Sequence, residues 1–139
     1  MKLARSARLL SALTIFGALT LVAPPAHADV IITDGCSAGG FTGTIRATVE
    51  RNGPGAVYRI EYKIDKGSQS GGNHANVLWN DAGTAPTKIA STGNGIQNNS
   101  WQTLLEANYF RGAGPTAFRF IFDKSNSGDP RCDEAFPLY

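Results

Sequence analysis

The segment from Asp123 to Glu134 has the composition of a cation-binding loop. It holds four carboxylates in twelve residues, and its order of Asp first, Gly sixth and Glu twelfth resembles a calcium-binding EF-hand loop. A polar connection is favoured over a metal site, because a strand pattern precedes the segment and Pro130 stiffens its middle. Calcium is the minor alternative. Its candidate ligands are Asp123, Asp129, Asp133 and Glu134.

His74 is the candidate for acid–base chemistry, since it is the one histidine after residue 28. It lies in a loop pattern near Ser68 and Ser70, so a serine hydrolase is one hypothesis. No Gly-x-Ser-x-Gly motif accompanies it, and one histidine with two cysteines gives too few ligands for an ordinary zinc site. We therefore expect an exposed loop histidine, no catalytic residue, no metal and no cofactor.

Aromatic side chains are the candidates for binding rather than catalysis. Trp79, Trp101, Tyr109 and Phe110 fall near loops or strand ends. A ring on the surface of a β-domain can stack on a sugar ring, whereas small domains usually bury their tryptophans in the core. Both interpretations stay open for each tryptophan. The candidate contacts for a ligand or partner are Trp79, Trp101 and His74.

Paired carboxylates could also hydrolyse glycosides. Glu50, Glu61 and Asp65 lie on the polar faces of two alternating segments, where they are interleaved with basic residues. This regular alternation is typical of charge pairs between neighbouring strands, and we expect that role for them.

The N-terminal sequence and the two cysteines predict that the candidate residues described above lie outside the cytoplasm. Residues 1–28 have a basic start, the apolar stretch Leu9–Val22 and the small-x-small sequence Ala26-His27-Ala28, which together predict a secretory signal peptide. Cleavage leaves one secreted, extracellular domain at residues 29–139 with no membrane insertion. The two cysteines, Cys36 and Cys132, are then expected to form a disulfide.

Loss of the leader also changes the net charge. The basic residues fall from 13 to 10 against 11 acidic residues, so a formal charge of +2 becomes −1. A charge this small gives no general attraction to nucleic acid or to an anionic membrane, and we expect neither as a partner.

Two segments with alternating apolar residues predict an antiparallel hairpin. Residues 44–50 and 58–65 each place apolar side chains on one face, and a turn with the sequence Asn-Gly-Pro-Gly joins them. The apolar face is predicted to carry Ile45, Ala47, Val49, Tyr58, Ile60, Tyr62 and Ile64.

Further strands follow from the same pattern. The Phe118, Phe120 and Phe122 row predicts a core strand, and residues 101–109 are assigned to a strand rather than a helix because their surroundings are β. Residues 92–95 have loop composition. Shorter strands are predicted at 30–33, 76–79, 88–91 and 135–138. Seven or eight short strands without a strong helix pattern predict an all-β protein, an antiparallel β-sandwich with an immunoglobulin-like layout.

The run Phe120-Ile121-Phe122-Asp123-Lys124, with Asp129-Pro130-Arg131-Cys132 after it, resembles the C-terminal end of small secreted actinobacterial proteins without an assigned activity. Ala75-Asn76-Val77 and the segment at Trp101 fit the same likeness. The resemblance implies a secreted, disulfide-linked β domain and assigns no catalytic residue. Some secreted actinobacterial β domains are parts of toxin assemblies, a role that extends to this chain only by analogy.

These observations predict a secreted, non-enzymatic binding protein, such as an adaptor, an inhibitor or a component of a toxin complex. Its expected partner is another secreted or cell-surface protein, which could pair with the apolar Val30-Ile31-Ile32 segment. The alternatives are a carbohydrate- or cell-wall-binding module that uses Trp79 or Trp101, and a small secreted hydrolase that uses His74.

Overall fold

The computed structural model describes residues 29–50, 55–83, 87–111, 113–126 and 128–138, so the predicted leader at 1–28 lies outside the described residues. Eight β-strands are described. Their bounds are β1 Asp29–Ala38, β2 Phe41–Glu50, β3 Ala56–Asp65, β4 Ala75–Asp81, β5 Lys88–Gly95, β6 Gln102–Phe110, β7 Thr116–Ile121 and β8 Arg131–Ala135. The described part of the chain contains no helix of the length and apolarity that a membrane crossing requires.

The strands form two antiparallel four-stranded sheets. Sheet A has the order β1-β2-β3-β6, and sheet B has the order β5-β4-β7-β8. The sheets pack face to face, so the prediction of an all-β protein with an antiparallel β-sandwich fold is confirmed. In sheet A the three consecutive strands β1, β2 and β3 form a meander, and β6 returns to pair with β3.

The core lies between the inward faces of the two sheets. Buried and half-buried residues alternate along β2, as the sequence predicts, and Phe118, Phe120 and Phe122 are all buried. The rings of Phe41 and Phe122 stack with their centroids 5.2 Å apart. This alternation sends one side of every inner strand into the core and the other to the surface, so surface chemistry is confined to the outer faces and the loops.

The predicted Cys36–Cys132 disulfide is present and joins strands far apart in sequence. Cys36 lies on β1, the edge strand of sheet A, and Cys132 lies on β8, the edge strand of sheet B. Phe120 fills the space between the sheets beside the bond. A Cβ atom at Gly43, the β2 partner of Cys36, would lie 2.5 Å from the Phe120 ring, so this close packing requires glycine.

Tyr58 does not share the core face that alternation predicts for it. Val49 pairs with Val57 while Thr48 pairs with Arg59, so Tyr58 is the extra residue of a β-bulge. Val57 takes the buried position instead, and Tyr58 is half-buried on the outer face of sheet A.

For two short segments, residues 92–95 and 135–138, the secondary structure predicted from the sequence is wrong. Residues 92–95, predicted as a loop, belong to β5, because Gly95 permits a close approach to β4: a Cβ there would lie 2.8 Å from the carbonyl oxygen of Ala75. The last strand, predicted at 135–138, lies earlier in the chain, where Cys132 is tied to β1. The strand predicted at residues 101–109 is confirmed as β6.

Candidate functional site

Trp79 lies in the core, which is one of the two interpretations left open for it, so its ring is not a surface contact. Its side chain is 0% exposed, and its ring meets that of Phe136 edge-on with the centroids 4.8 Å apart. β4 is an inner strand of sheet B, and its alternation points Trp79 inward. The indole Nε1–H donates a hydrogen bond of 3.0 Å to the hydroxyl of Tyr109, which therefore also points inward.

The Tyr109 hydroxyl belongs to a partly buried polar cluster with Trp79 and Asp81. Burial raises the pKa of Tyr109 above its ordinary value of 10.0, and the nearby carboxylate of Asp81 acts in the same direction, while the hydrogen bond from Trp79 opposes them. Asp81 is itself fully buried, and its Oδ1 accepts a hydrogen bond from the backbone N–H of Gly83. These contacts favour the neutral form of the Tyr109 phenol, and they link it to the core residue Trp79.

Substitution Tyr109→Phe tests this group through the pH dependence of stability. At pH 7 the variant should be less stable by about 1–3 kcal/mol, because the buried Nε1–H of Trp79 loses its acceptor. The wild-type advantage should shrink above pH 10, since the unfolded chain then releases a phenolic proton that the folded chain retains. Urea unfolding between pH 7 and pH 11 measures both effects. A difference that stays constant across this range would contradict the assignment.

His74 lies at the end of the sandwich where the loops after β3, β5 and β7 meet. Its backbone N–H donates to Oδ2 of Asp123 at 3.1 Å, and its Nδ1 lies 3.3 Å from Oδ1 of Asn94. Within the described residues no hydrogen bond joins the exposed imidazole to Ser68 or Ser70. The structure therefore places His74 beside the amide of Asn94 and the carboxylate of Asp123.

Gln97 joins the same loops, although no sequence pattern pointed to it. Its side chain is 1% exposed, and Nε2 donates to the carbonyl oxygens of Gly72 at 2.9 Å and Asp123 at 2.8 Å. Its Oε1 accepts the backbone N–H of Asp123 at 3.1 Å, and its own N–H donates to Oδ1 of Asn73 at 2.9 Å. A glutamine in a polar loop gives no advance sign of such burial, because only the fold brings its partners together.

The four carboxylates predicted as the alternative calcium ligands do not converge. Asp129 accepts a backbone N–H from within its own loop, and Asp133 and Glu134 are consecutive on β8 and so point to opposite sides of the strand. Asp133 forms ion pairs with Arg119 and Arg131. Among the described residues, no three His, Cys, Asp or Glu side chains come together as a metal site.

Trp101 lies on the outer face of sheet A and is half-buried. It directly precedes β6, whose first residue, Gln102, pairs with Tyr62 on β3. The guanidinium carbon of Arg46 lies 4.0 Å from the ring centroid, and Nζ of Lys63 lies 5.2 Å from it. Each cation–π contact at a surface contributes about 0.5–1 kcal/mol. Together they hold the indole against the sheet.

Charge pairs between neighbouring strands lie along the outer face of sheet A. Arg46 pairs with Glu61 through a 2.7 Å contact, and Arg59 pairs with Glu106 at 2.6 Å. The expected pairing between strands is confirmed for Glu61, whereas Asp65 instead accepts the backbone N–H of Gly67 in the following turn. The outer face of sheet A thus carries a partly buried ion pair at Arg46 and a more exposed one at Arg59.

Two further aromatic residues lie at the opposite end of this face. Tyr58 lines a shallow depression with Thr48, Arg59 and Glu106. Phe110 follows the inward-pointing Tyr109, so it lies on the outer side of β6, where it is 62% exposed. We name this surface the sheet A platform. It comprises Arg46, Tyr58, Arg59, Glu61, Lys63, Trp101, Glu106 and Phe110.

No protein-family model, curated protein or solved structure matches the chain. The resemblance to small secreted actinobacterial proteins therefore stays a prediction, and the geometry alone indicates the site. The sheet A platform combines an aromatic ring at each end with paired charges between them. Such a surface can bind a polar ligand that has flat apolar faces.

Proposed function

We propose that this chain is an exported protein that acts by binding, and that it contacts its target through the sheet A platform. The observation that supports this best is Trp101, a large, half-buried aromatic ring on the outer face of sheet A that Arg46 and Lys63 hold in place. Tryptophan and arginine are the residues most enriched among those that dominate binding energy. A side chain already ordered in the free protein also loses little conformational entropy when a ligand binds.

Two features support an extracellular setting for this function. The first 28 residues have the pattern of a signal peptide, and the Cys36–Cys132 bond is of the kind that persists in an oxidising compartment. The target would then be exposed outside the cytoplasm, either on a cell surface or among other exported proteins.

Attachment of the secreted protein to cell envelopes tests the proposal. The full chain with a C-terminal tag is recovered from the culture medium and pelleted with the envelope fraction. Substitution Trp101→Ala should weaken attachment by about tenfold or more, the equivalent of about 1.4 kcal/mol. Ile89→Ala is the matched control, because Ile89 is 59% exposed on the outer face of sheet B. Equal attachment of wild type and Trp101→Ala would contradict the proposal.

A partner protein bound at β1 is the second candidate, and Ile31 is the observation that favours it. Ile31 is 58% exposed on the edge strand of sheet A, and exposed edges can accept a further strand. If β1 is the binding site, Ile31→Lys should abolish attachment to the envelope fraction, and Trp101→Ala should leave that attachment unchanged.

A further inference from the structure

We infer that the ligand of the sheet A platform is a neutral oligosaccharide of several sugar units. This inference rests on the proposed function, and it adds the chemical class and the minimum length of the ligand. Three features of the platform lead to it: the separation of its aromatic rings, its balance of charge and its supply of hydroxyl groups.

The aromatic rings lie at the two ends of the platform. Lys63, which contacts Trp101, is five residues from Tyr58 along β3, so the backbones of these two residues are about 16 Å apart or less at the rise of about 3.3 Å per residue in a strand. Phe110 lies at the same end of the platform as Tyr58, because Phe110 pairs with Ala56 of β3 and Ala56 is two residues from Tyr58. A monosaccharide can contact one ring only, whereas an extended chain of several sugars can contact both ends.

The charges on this face favour a neutral ligand over an anionic one. Its basic side chains are already engaged: Arg46 with Glu61 and Trp101, Arg59 with Glu106, and Lys63 with Trp101. Carboxylates outnumber the basic groups on this face of sheet A, which repels polyanions. The acidic side chains are Glu50, Glu61, Asp65 and Glu106, against the basic Arg46, Arg59 and Lys63, while the carboxylate of Asp29 is offset by the α-amino group that cleavage after residue 28 leaves on it.

Hydroxyl groups lie on the same face, on both sides of the charge pairs. Thr44 and Thr48 are on the outer side of β2, Thr33 pairs with Arg46 from β1, and Thr103 pairs with Glu61 from β6. A hydroxyl both donates and accepts hydrogen bonds, and so does each hydroxyl of a sugar. The platform therefore offers rings for the apolar faces of a sugar chain and polar groups for its edges.

Titration with defined oligosaccharides tests the inference by tryptophan fluorescence. The chain has two tryptophans, and the buried Trp79 should not respond, so any change reports on Trp101. The probes are neutral hexasaccharides of glucose, N-acetylglucosamine and xylose, their monosaccharides, an acidic polygalacturonate fragment and cationic chitosan. At least one neutral hexasaccharide should bind, and its monosaccharide should bind at least about tenfold more weakly.

Variants show whether binding uses both ends of the platform. Trp101→Ala and Tyr58→Ala should each weaken binding of the hexasaccharide by about tenfold, measured by calorimetry, while Ile89→Ala should not. The inference is overturned if none of the neutral hexasaccharides binds, if only the charged polymers bind, or if Tyr58→Ala has no effect. If Trp101→Ala abolishes attachment to envelopes but no neutral sugar binds, the inference fails and the proposed function stands.

Discussion

Removal of the Cys36–Cys132 disulfide should lower the free energy of unfolding by about 4–5 kcal/mol. The bond spans a sequence separation of 96 residues, so the unfolded chain gains a large amount of conformational freedom when it is cut. The folded state loses a direct connection between the edge strands of its two sheets. For a domain of this size, the melting temperature should fall by about 15 °C or more.

The double variant Cys36→Ala/Cys132→Ala measures this effect by thermal and urea unfolding. Wild-type protein in dithiothreitol should unfold at the temperature of the variant, and the variant should be insensitive to dithiothreitol. A difference of only a few degrees between oxidised wild type and variant would mean that the edge strands hold the sheets together without the bond.

The sequence predicts those parts of the fold that depend on local alternation. β2 and β7 alternate without interruption, so the inward positions of Ile45 and Phe120 follow directly from period two. The disulfide is equally predictable, since two cysteines allow one intramolecular pairing. Where alternation is interrupted, the prediction fails: the bulge at Tyr58 moves a tyrosine from the expected core to the platform.

The candidate site depends on contacts between distant residues, which alternation does not encode. Trp79 and Trp101 look alike in sequence, and the pairing of β4 between β5 and β7 is what buries the first. The position of Trp101 beside Arg46 depends on β6 returning to sheet A after two strands of sheet B. Such long-range pairing is set by the packing of the whole chain.

Substitution Gln97→Leu should destabilise the protein by about 3 kcal/mol or more. Leucine is similar in volume but leaves three partly buried backbone groups without the hydrogen bonds that Gln97 makes: the carbonyls of Gly72 and Asp123 and the N–H of Asp123. Each unsatisfied buried group costs about 1–3 kcal/mol. Urea unfolding measures the loss, and Asn98→Ala is the control, because the exposed side chain of Asn98 accepts a single hydrogen bond, from the N–H of Ser100, and its removal should cost about 1 kcal/mol or less.

The same variant separates stability from binding, because the loop that leads into Trp101 has other attachments to β3. The N–H of Asn99 donates to the carbonyl of Ile64 at 2.8 Å, and the N–H of Ile96 donates to the hydroxyl of Tyr62 at 3.2 Å. Both contacts remain in Gln97→Leu. At 25 °C the folded Gln97→Leu protein should therefore show the same Trp101 fluorescence as wild type. It should also attach to envelopes as wild type does, despite its lower stability. Loss of attachment in folded protein would show instead that Gln97 positions Trp101, and that the platform extends into this loop.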